Sequence, residues 1–343
     1  MPLPAPRSSA RTERSPSDLQ AFDWDGPQLQ ARAAEWIVDI ESETAHPQLQ
    51  SFLSQYSSHW KNPLDVVCPE SLKHVGRRLQ DLVLGQTGVA VLKCGAKCSA
   101  DEARLLQIVL GCEFGCNVTV TPNGDHRPLF ALEAVQDPTA NGRYSGNGLR
   151  GNTIGFHTDG SGIADRNVDL LSMLCVRPAR FGGQSRVANA QMAYKSLPPT
   201  TRDELAKPFP RESPFAPGAT DAGLKSAPIY CEAERNGARY LHFSYHPQRV
   251  RNGLGHDMER LEAALKSLNM LDEALERFSC DINLMRNEIL FVNNAAIAHD
   301  RRAFIDDPLA TRLLERFWAG TLINTSVTGG RDDQRTLCAV AGN

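Results

Sequence analysis

At 343 residues, 41% of them hydrophobic and 22% charged, the chain has the composition of a soluble globular protein able to bury a large core. A net charge of −3 and a pI near 6.3 supply no basic face for nucleic acid, and no apolar run approaches the ~18 residues of a membrane span. The opening residues lack the apolar segment of a secretory signal. With nine scattered cysteines, this points to reduced thiols in a cytoplasmic setting. Cys94, Cys98, Cys112 and Cys116 are closely spaced but sit among apolar and glycine residues, so they are taken as structural thiols rather than a zinc site.

In chain order, residues 1–20 are expected to be a disordered tail. Apolar spacing predicts helices over 28–45 and 69–84, then a buried strand over 87–92. Ser99, followed by Asp101 and Glu102, caps a further helix. A short strand over 118–121 ends in a turn at Pro122–Asp125. The glycine-rich stretch 136–155 is expected to be a loop and a candidate lid. Strands follow over 169–176 and from the Gly182-Gly183 turn into 185–188. A proline-rich insertion is expected at about 199–228, a strand over 238–245 and an amphipathic helix over 256–278. Two strands, 288–293 and 313–322, close the series. No internal repeat and no dinucleotide glycine fingerprint is present.

Short strands, with helices gathered at the N-terminus and in a late insertion, predict a mainly β protein with flanking helices and a double-stranded β-helix (jelly-roll) core. The expected organisation is a tail over 1–20 and a helical N-terminal extension over 21–84 packed on the core. A jelly-roll domain over 85–325, with insertions at about 199–228 and 253–279, and a tail over 326–343 complete it.

The chemistry concentrates at Phe156-His157-Thr158-Asp159-Gly160. In extended chain the side chains alternate, so His157 and Asp159 share a face. A third ligand is available in His299, after the apolar run that begins at Ile289. Two histidines and a carboxylate with positions left open are the arrangement of non-haem Fe(II) oxygenases. His242 and His246 are expected in polar core or surface positions, and Phe317 and Trp318 are expected to pack the barrel.

These blocks, with Leu174–Pro178, Gly182-Gly183-Gln184-Ser185, Asn287–Asn294, His299-Asp300-Arg301 and Arg312–Arg316, resemble the iron- and 2-oxoglutarate-dependent dioxygenases of the taurine dioxygenase and clavaminate synthase superfamily. The resemblance spans roughly residues 85 to 322. It implies that His157, Asp159 and His299 bind Fe(II), that 2-oxoglutarate and O2 are co-substrates, and that Arg312 pairs with the distal carboxylate of 2-oxoglutarate beside Ser185. A guanidinium suits that task because it binds a carboxylate bidentately. Arg316 is implied for the substrate's acidic group or the other carboxylate of 2-oxoglutarate.

The implied reaction oxidises a C–H bond, most simply by hydroxylation, and releases succinate and CO2. Asp159 occupies the position that halogenases leave open for chloride, so halogenation is not expected. Desaturation, epoxidation and ring closure stay open. So do a non-catalytic metal- or 2-oxoglutarate-binding role and, behind it, a zinc hydrolase. The expected partner is a small molecule, either an acid, an amino acid or a natural-product intermediate. Neither nucleic acid nor membrane is expected, and homo-oligomerisation is left open.

Overall fold

A computed structural model describes residues 22–43, 47–61, 66, 68–119, 126–133, 154–161, 166–212, 225–235, 238–254, 260–306 and 309–322. The N-terminal part carries α1 (Gly26–Ala31), α2 (Ala33–Trp36), β1 (Ile37–Asp39), α3 (Ile40–Glu43), α4 (Pro47–Tyr56) and α5 (Glu70–Gln80). The single helix expected over 28–45 is therefore broken. The β-branched pair Ile37-Val38 leaves the helix to run parallel to β2 (Val89–Lys93) in the main sheet, where such side chains pack well. α5 runs on into a π-helical turn, Asp81–Gln86.

α6 (Ala100–Cys112) starts at a complete capping box: the Ser99 side chain accepts from Glu102 N–H while Glu102 reaches back to Ser99 N–H. β3 (Cys116–Asn117) and β4 (Phe130–Glu133) are short. The expected strand over 118–121 is not formed at Val118 and Thr119, and the Pro122–Asp125 turn lies outside the described residues. So do the tails and most of the 136–155 loop.

Then come β5 (Arg166–Arg177), β6 (Phe181–Gly182), β7 (Ser185–Asn189), α7 (Ala190–Ser196) and α8 (Pro199–Leu205). The expected insertion contains α8, β8 (Phe209–Arg211) and β9 (Lys225–Ala227). β10 (Tyr230–Arg235) and β11 (Ala238–Phe243) form a hairpin, followed by α9 (Pro247–Leu254), absent from the sequence reading, and α10 (Leu261–Arg277). The chain ends in β12 (Ser279–Ile282), β13 (Glu288–Asn293), β14 (Ile297–Arg301), β15 (Phe304–Ile305) and β16 (Leu313–Leu322).

Two sheets face each other. The larger has the order β1-β2-β13-β5-β16-β3, with β4 also on β16, and the smaller is β12-β7-β14. A bridge from His157 to His299 adds a further edge to the smaller sheet. Between them lies an apolar filling from both walls, including Val91, Leu171, Val187, Ile282, Leu290, Ile297 and Leu314. This is the inside of a jelly roll.

A second cluster packs α4, α5 and α6 on the outer face of the larger sheet. A third packs α7 to α10 and the β10–β11 hairpin outside the smaller one. Among the described residues no helix is long and apolar enough to cross a membrane. Seven described cysteines are free thiols. Cys116, by contrast, is disulfide-bonded, which corrects the all-reduced expectation there.

Candidate metal centre

His157 and His299, far apart in sequence, are directly opposite in an antiparallel bridge. His157 N–H donates to His299 C=O (3.0 Å) and His299 N–H to His157 C=O (2.8 Å). Partners in such a pair project side chains to the same side, and the imidazole centroids lie 4.2 Å apart. Asp159, two residues on, shares the face of His157. Its Oδ1 is 3.9 Å from His157 Nε2 and 3.8 Å from His299 Nε2. The ligand atoms of the three residues all fall within 4.8 Å of one another.

The backbone here is fastened on both sides. Asp159 N–H donates to the Asn294 side chain, and the Asn294 amide donates back to Asp159 C=O, both at 2.9 Å. Thr158 N–H donates to Tyr245 C=O (2.8 Å) while its hydroxyl accepts from Tyr245 N–H (3.0 Å). Gly160 has φ +74°, and a Cβ there would sit 2.6 Å from Val168. Only glycine fits that turn.

The donor atoms suit a divalent ion. His157 Nδ1 lies 2.9 Å from Gly155 C=O; a carbonyl only accepts, so Nδ1 carries the hydrogen and Nε2 offers its lone pair to the gap. Asp159 Oδ2 accepts from Trp318 Nε1–H (2.8 Å) and from the Arg316 guanidinium (3.3 Å), leaving Oδ1 for the gap. Burial works to raise the Asp159 pKa. Arg316, His299, His157 and the Trp318 N–H together outweigh it and hold the carboxyl well below its usual range. His299 is pushed down to about 3, by burial first and then by His157 and Arg316, so its imidazole is neutral. A carboxylate and imidazole nitrogens with free lone pairs are what a divalent first-row metal takes.

The three ligands open into a cavity of about 100 Å³ that continues past Met173 and Leu314 to Ser185, Arg301 and Arg312. Ser185 is buried at the start of β7. Arg312, just ahead of β16, has its N–H held by Asp306 at 2.8 Å. Its guanidinium lies over Phe304 (5.4 Å) and reaches Gly183 C=O at 3.4 Å. Among the described residues no carboxylate pairs with it. Burial, aided by Arg301, pulls its pKa down to about 10, so it stays charged. Gly183 has φ +73°, and a Cβ on it would lie 3.2 Å from Arg312 Nε. Gly183 thus makes room for the cation, while Gly182 lets the backbone of Ala303 come close. Arg316 lies between the rings of Trp318 (4.0 Å) and Phe130 (5.1 Å), with its charge shared with Asp159.

The structure thus brings together His157, Asp159, Ser185, His299, Arg312 and Arg316, the residues given site roles from the sequence, and adds others. Trp318 was expected only to pack; it packs and also donates to Asp159. The signal was available, since Arg316 and Trp318 share strand parity. Phe317 does pack the outer core. His246 stands with its ring 5.4 Å from His157, and burial first, then His157 and Arg249, lowers its pKa to about 2. Arg301, two positions after His299, was legible by the same parity. His242 pairs in the β10–β11 hairpin with Cys231, away from the cavity. Arg249 donates to Ser161 C=O at 2.8 Å.

A jelly roll presenting a His-Asp-His cluster beside an arginine-lined cavity defines a class of dioxygenases, and comparison with known proteins agrees. Residues 55–318 match the taurine catabolism dioxygenase TauD, TfdA family, and the chain belongs to that family. It is 27% identical over 175 residues to a uridine-5′-phosphate dioxygenase of Streptomyces sp, covering 48% of this chain and 61% of that protein. It is 24% identical over 186 residues to a taurine hydroxylase-like protein of Stachybotrys chartarum, covering 51% and 44%. The matches thus span less than two thirds of either relative.

Among solved structures, asparagine oxygenase superposes with a TM-score of 0.61 at 15% identity, covering 84% of this chain and 93% of that one. The non-haem iron oxygenase OrfP, in complex with Fe, succinate and (3S)-hydroxy-L-Arg, gives 0.61 at 13%, covering 83% and 94%. At these identities the likeness is one of fold.

Proposed function

We propose that the chain is an Fe(II)- and 2-oxoglutarate-dependent oxygenase that hydroxylates a C–H bond of a small anionic or zwitterionic molecule, most simply an amino acid. The observation that carries this reading is the meeting of His157, Asp159 and His299 in one cavity with a buried cation, Arg312, that pairs with no carboxylate among the described residues. In this reading His157 Nε2, Asp159 Oδ1 and His299 Nε2 hold the iron. When bound, the iron supplies the redox chemistry that couples decarboxylation of 2-oxoglutarate to oxidation of the substrate.

The chain's own residues do the rest. Arg312 and the Ser185 hydroxyl bind the distal carboxylate of 2-oxoglutarate, and burial strengthens that pairing. Phe304 backs the guanidinium and keeps water from its face. Trp318 and Arg316 aim Asp159 by occupying its outer oxygen. Arg316 still faces the cavity and would meet an acidic group of the substrate. Support for an amino-acid substrate comes from fold neighbours whose complexes contain hydroxyasparagine or hydroxyarginine.

Anaerobic titration of the metal-free protein with Fe(II) and then 2-oxoglutarate tests the assignment. A weak visible charge-transfer band should appear with the second addition and be lost in His157→Ala and Asp159→Ala. In Arg312→Ala, Fe(II) should still bind while the 2-oxoglutarate concentration for half-saturation rises about a hundredfold, as for a lost charge-assisted pair of about 2.7 kcal/mol. Iron binding without any 2-oxoglutarate response would remove Arg312 and Ser185 from the reading. Succinate formation across a panel of amino acids and acidic metabolites would then identify the substrate.

A further inference from the structure

Asp300 sits between His299 and Arg301 on β14 but, by alternation, its side chain leaves the strand on the face opposite His299. It is buried, and both its oxygens are engaged. Oδ1 accepts from the backbone N–H groups of Ile154 (3.3 Å) and Gly155 (3.2 Å). Oδ2 accepts from Arg186 (3.3 Å). Arg186 is itself buried, is fixed by Glu276 (2.6 Å) and Asp281 (3.3 Å), and lies 4.5 Å over the ring of Phe156.

One ion pair therefore grips both ends of the Gly155–Phe156 unit: Asp300 holds the Gly155 N–H, and Arg186 covers the Phe156 ring. The carbonyl between those two holds is the one that receives the His157 Nδ1 hydrogen. Gly155 reaches this geometry at φ +86°, a region that side chains disfavour. His299 differs, because its buried Nδ1 has no hydrogen-bond partner among the described residues.

We propose that the Asp300–Arg186 pair is a positioning device for His157, holding the Gly155 carbonyl so that the imidazole stays in its Nδ1–H tautomer with Nε2 toward the metal gap. Neither residue is a ligand; both act through the 154–156 backbone. Such outer partners fix ring orientation and tautomer of metal-binding histidines. The metal role of His157 belongs to the function proposed above, whereas the tautomer is a property of the metal-free chain and can be read separately.

The test is a long-range 1H–15N spectrum of the histidines in the metal-free full-length protein, with Mn(II) affinity measured alongside. Wild type should show His157 as a single Nδ1–H tautomer with a slowly exchanging Gly155 amide. Asp300→Ala should populate the Nε2–H form of His157, leave the His299 pattern unchanged and weaken Mn(II) binding about tenfold. Asp300→Asn keeps an acceptor for the two amides and should restore the tautomer; a merely structural role would lower stability in both variants without moving it. A His157 that stays Nδ1–H in Asp300→Ala overturns the proposal. Should that variant fail to fold, an Nε2–H His157 or a fast-exchanging Gly155 amide in wild type overturns it equally. A tautomer that responds in a protein that binds no Mn(II) would sink the metal assignment and leave the positioning role standing.

Discussion

The two faces of β16 hold neighbouring residues to opposite tasks. Leu314, Arg316 and Trp318 point between the sheets, where Arg316 and Trp318 hold the outer oxygen of Asp159. Glu315 and Phe317 point outward to α6: Glu315 pairs with Arg104 at 2.6 Å, and Phe317 is wholly buried against the helices. The inner face holds charge and aromatic rings in a small cavity, a costly arrangement that the proposed function explains. The outer face is ordinary core. Under the proposed function, stability and chemistry are thus separated residue by residue along one strand.

The largest effect should come from the outer face. Phe317→Ala removes a fully buried ring and should cost about 3–5 kcal/mol in urea unfolding. The fraction that folds should keep its turnover per iron. Loss of turnover in the folded fraction would break the separation.

Arg316→Leu should do the reverse. It strips Asp159 of its cation and the cavity of a charge, so turnover should fall about a hundredfold, roughly 2.7 kcal/mol in transition-state terms. Unfolding should shift by less than about 1.5 kcal/mol, because Leu keeps much of the packing between Phe130 and Trp318. A stability loss as large as that of Phe317→Ala would show Arg316 to be structural.

Trp318→Phe should have the smallest effect. It preserves the ring and deletes only the N–H that holds Asp159 Oδ2. Fe(II) affinity should weaken about tenfold by equilibrium dialysis under nitrogen. An unchanged affinity would mean that Arg316 alone orients the carboxylate.

Much of this was legible where local periodicity carried it. The alternation of His157 and Asp159, the capping box at Ser99, and the bounds of β13 and β16 all follow from two-residue or one-turn patterns. Expectation failed where a distant partner decided. Ile37 and Val38 leave a helical pattern because an edge of β2 is available to them. Trp318 reads as an apolar residue until Asp159, more than a hundred positions earlier in the chain, is placed at its indole nitrogen. The grip of Asp300 on Gly155 has no local signature, since the motif around His299 names the residue but not the backbone it holds.

β16 meets β5 with register shifts between Leu313 and Leu314 and between Ala319 and Gly320, bracketing the residues that face the metal gap. A slide of one residue would bring Glu315 inward in place of Arg316 and Phe317 in place of Trp318. Asp159 would then meet a second carboxylate and a ring with no hydrogen to give. A single-codon insertion or deletion between these two irregularities would therefore invert the sign of the field at the site while leaving composition and hydrophobicity almost untouched. Length changes within 314–319 would thus exchange the two faces of the strand at one stroke, where a substitution alters only one side chain of one face.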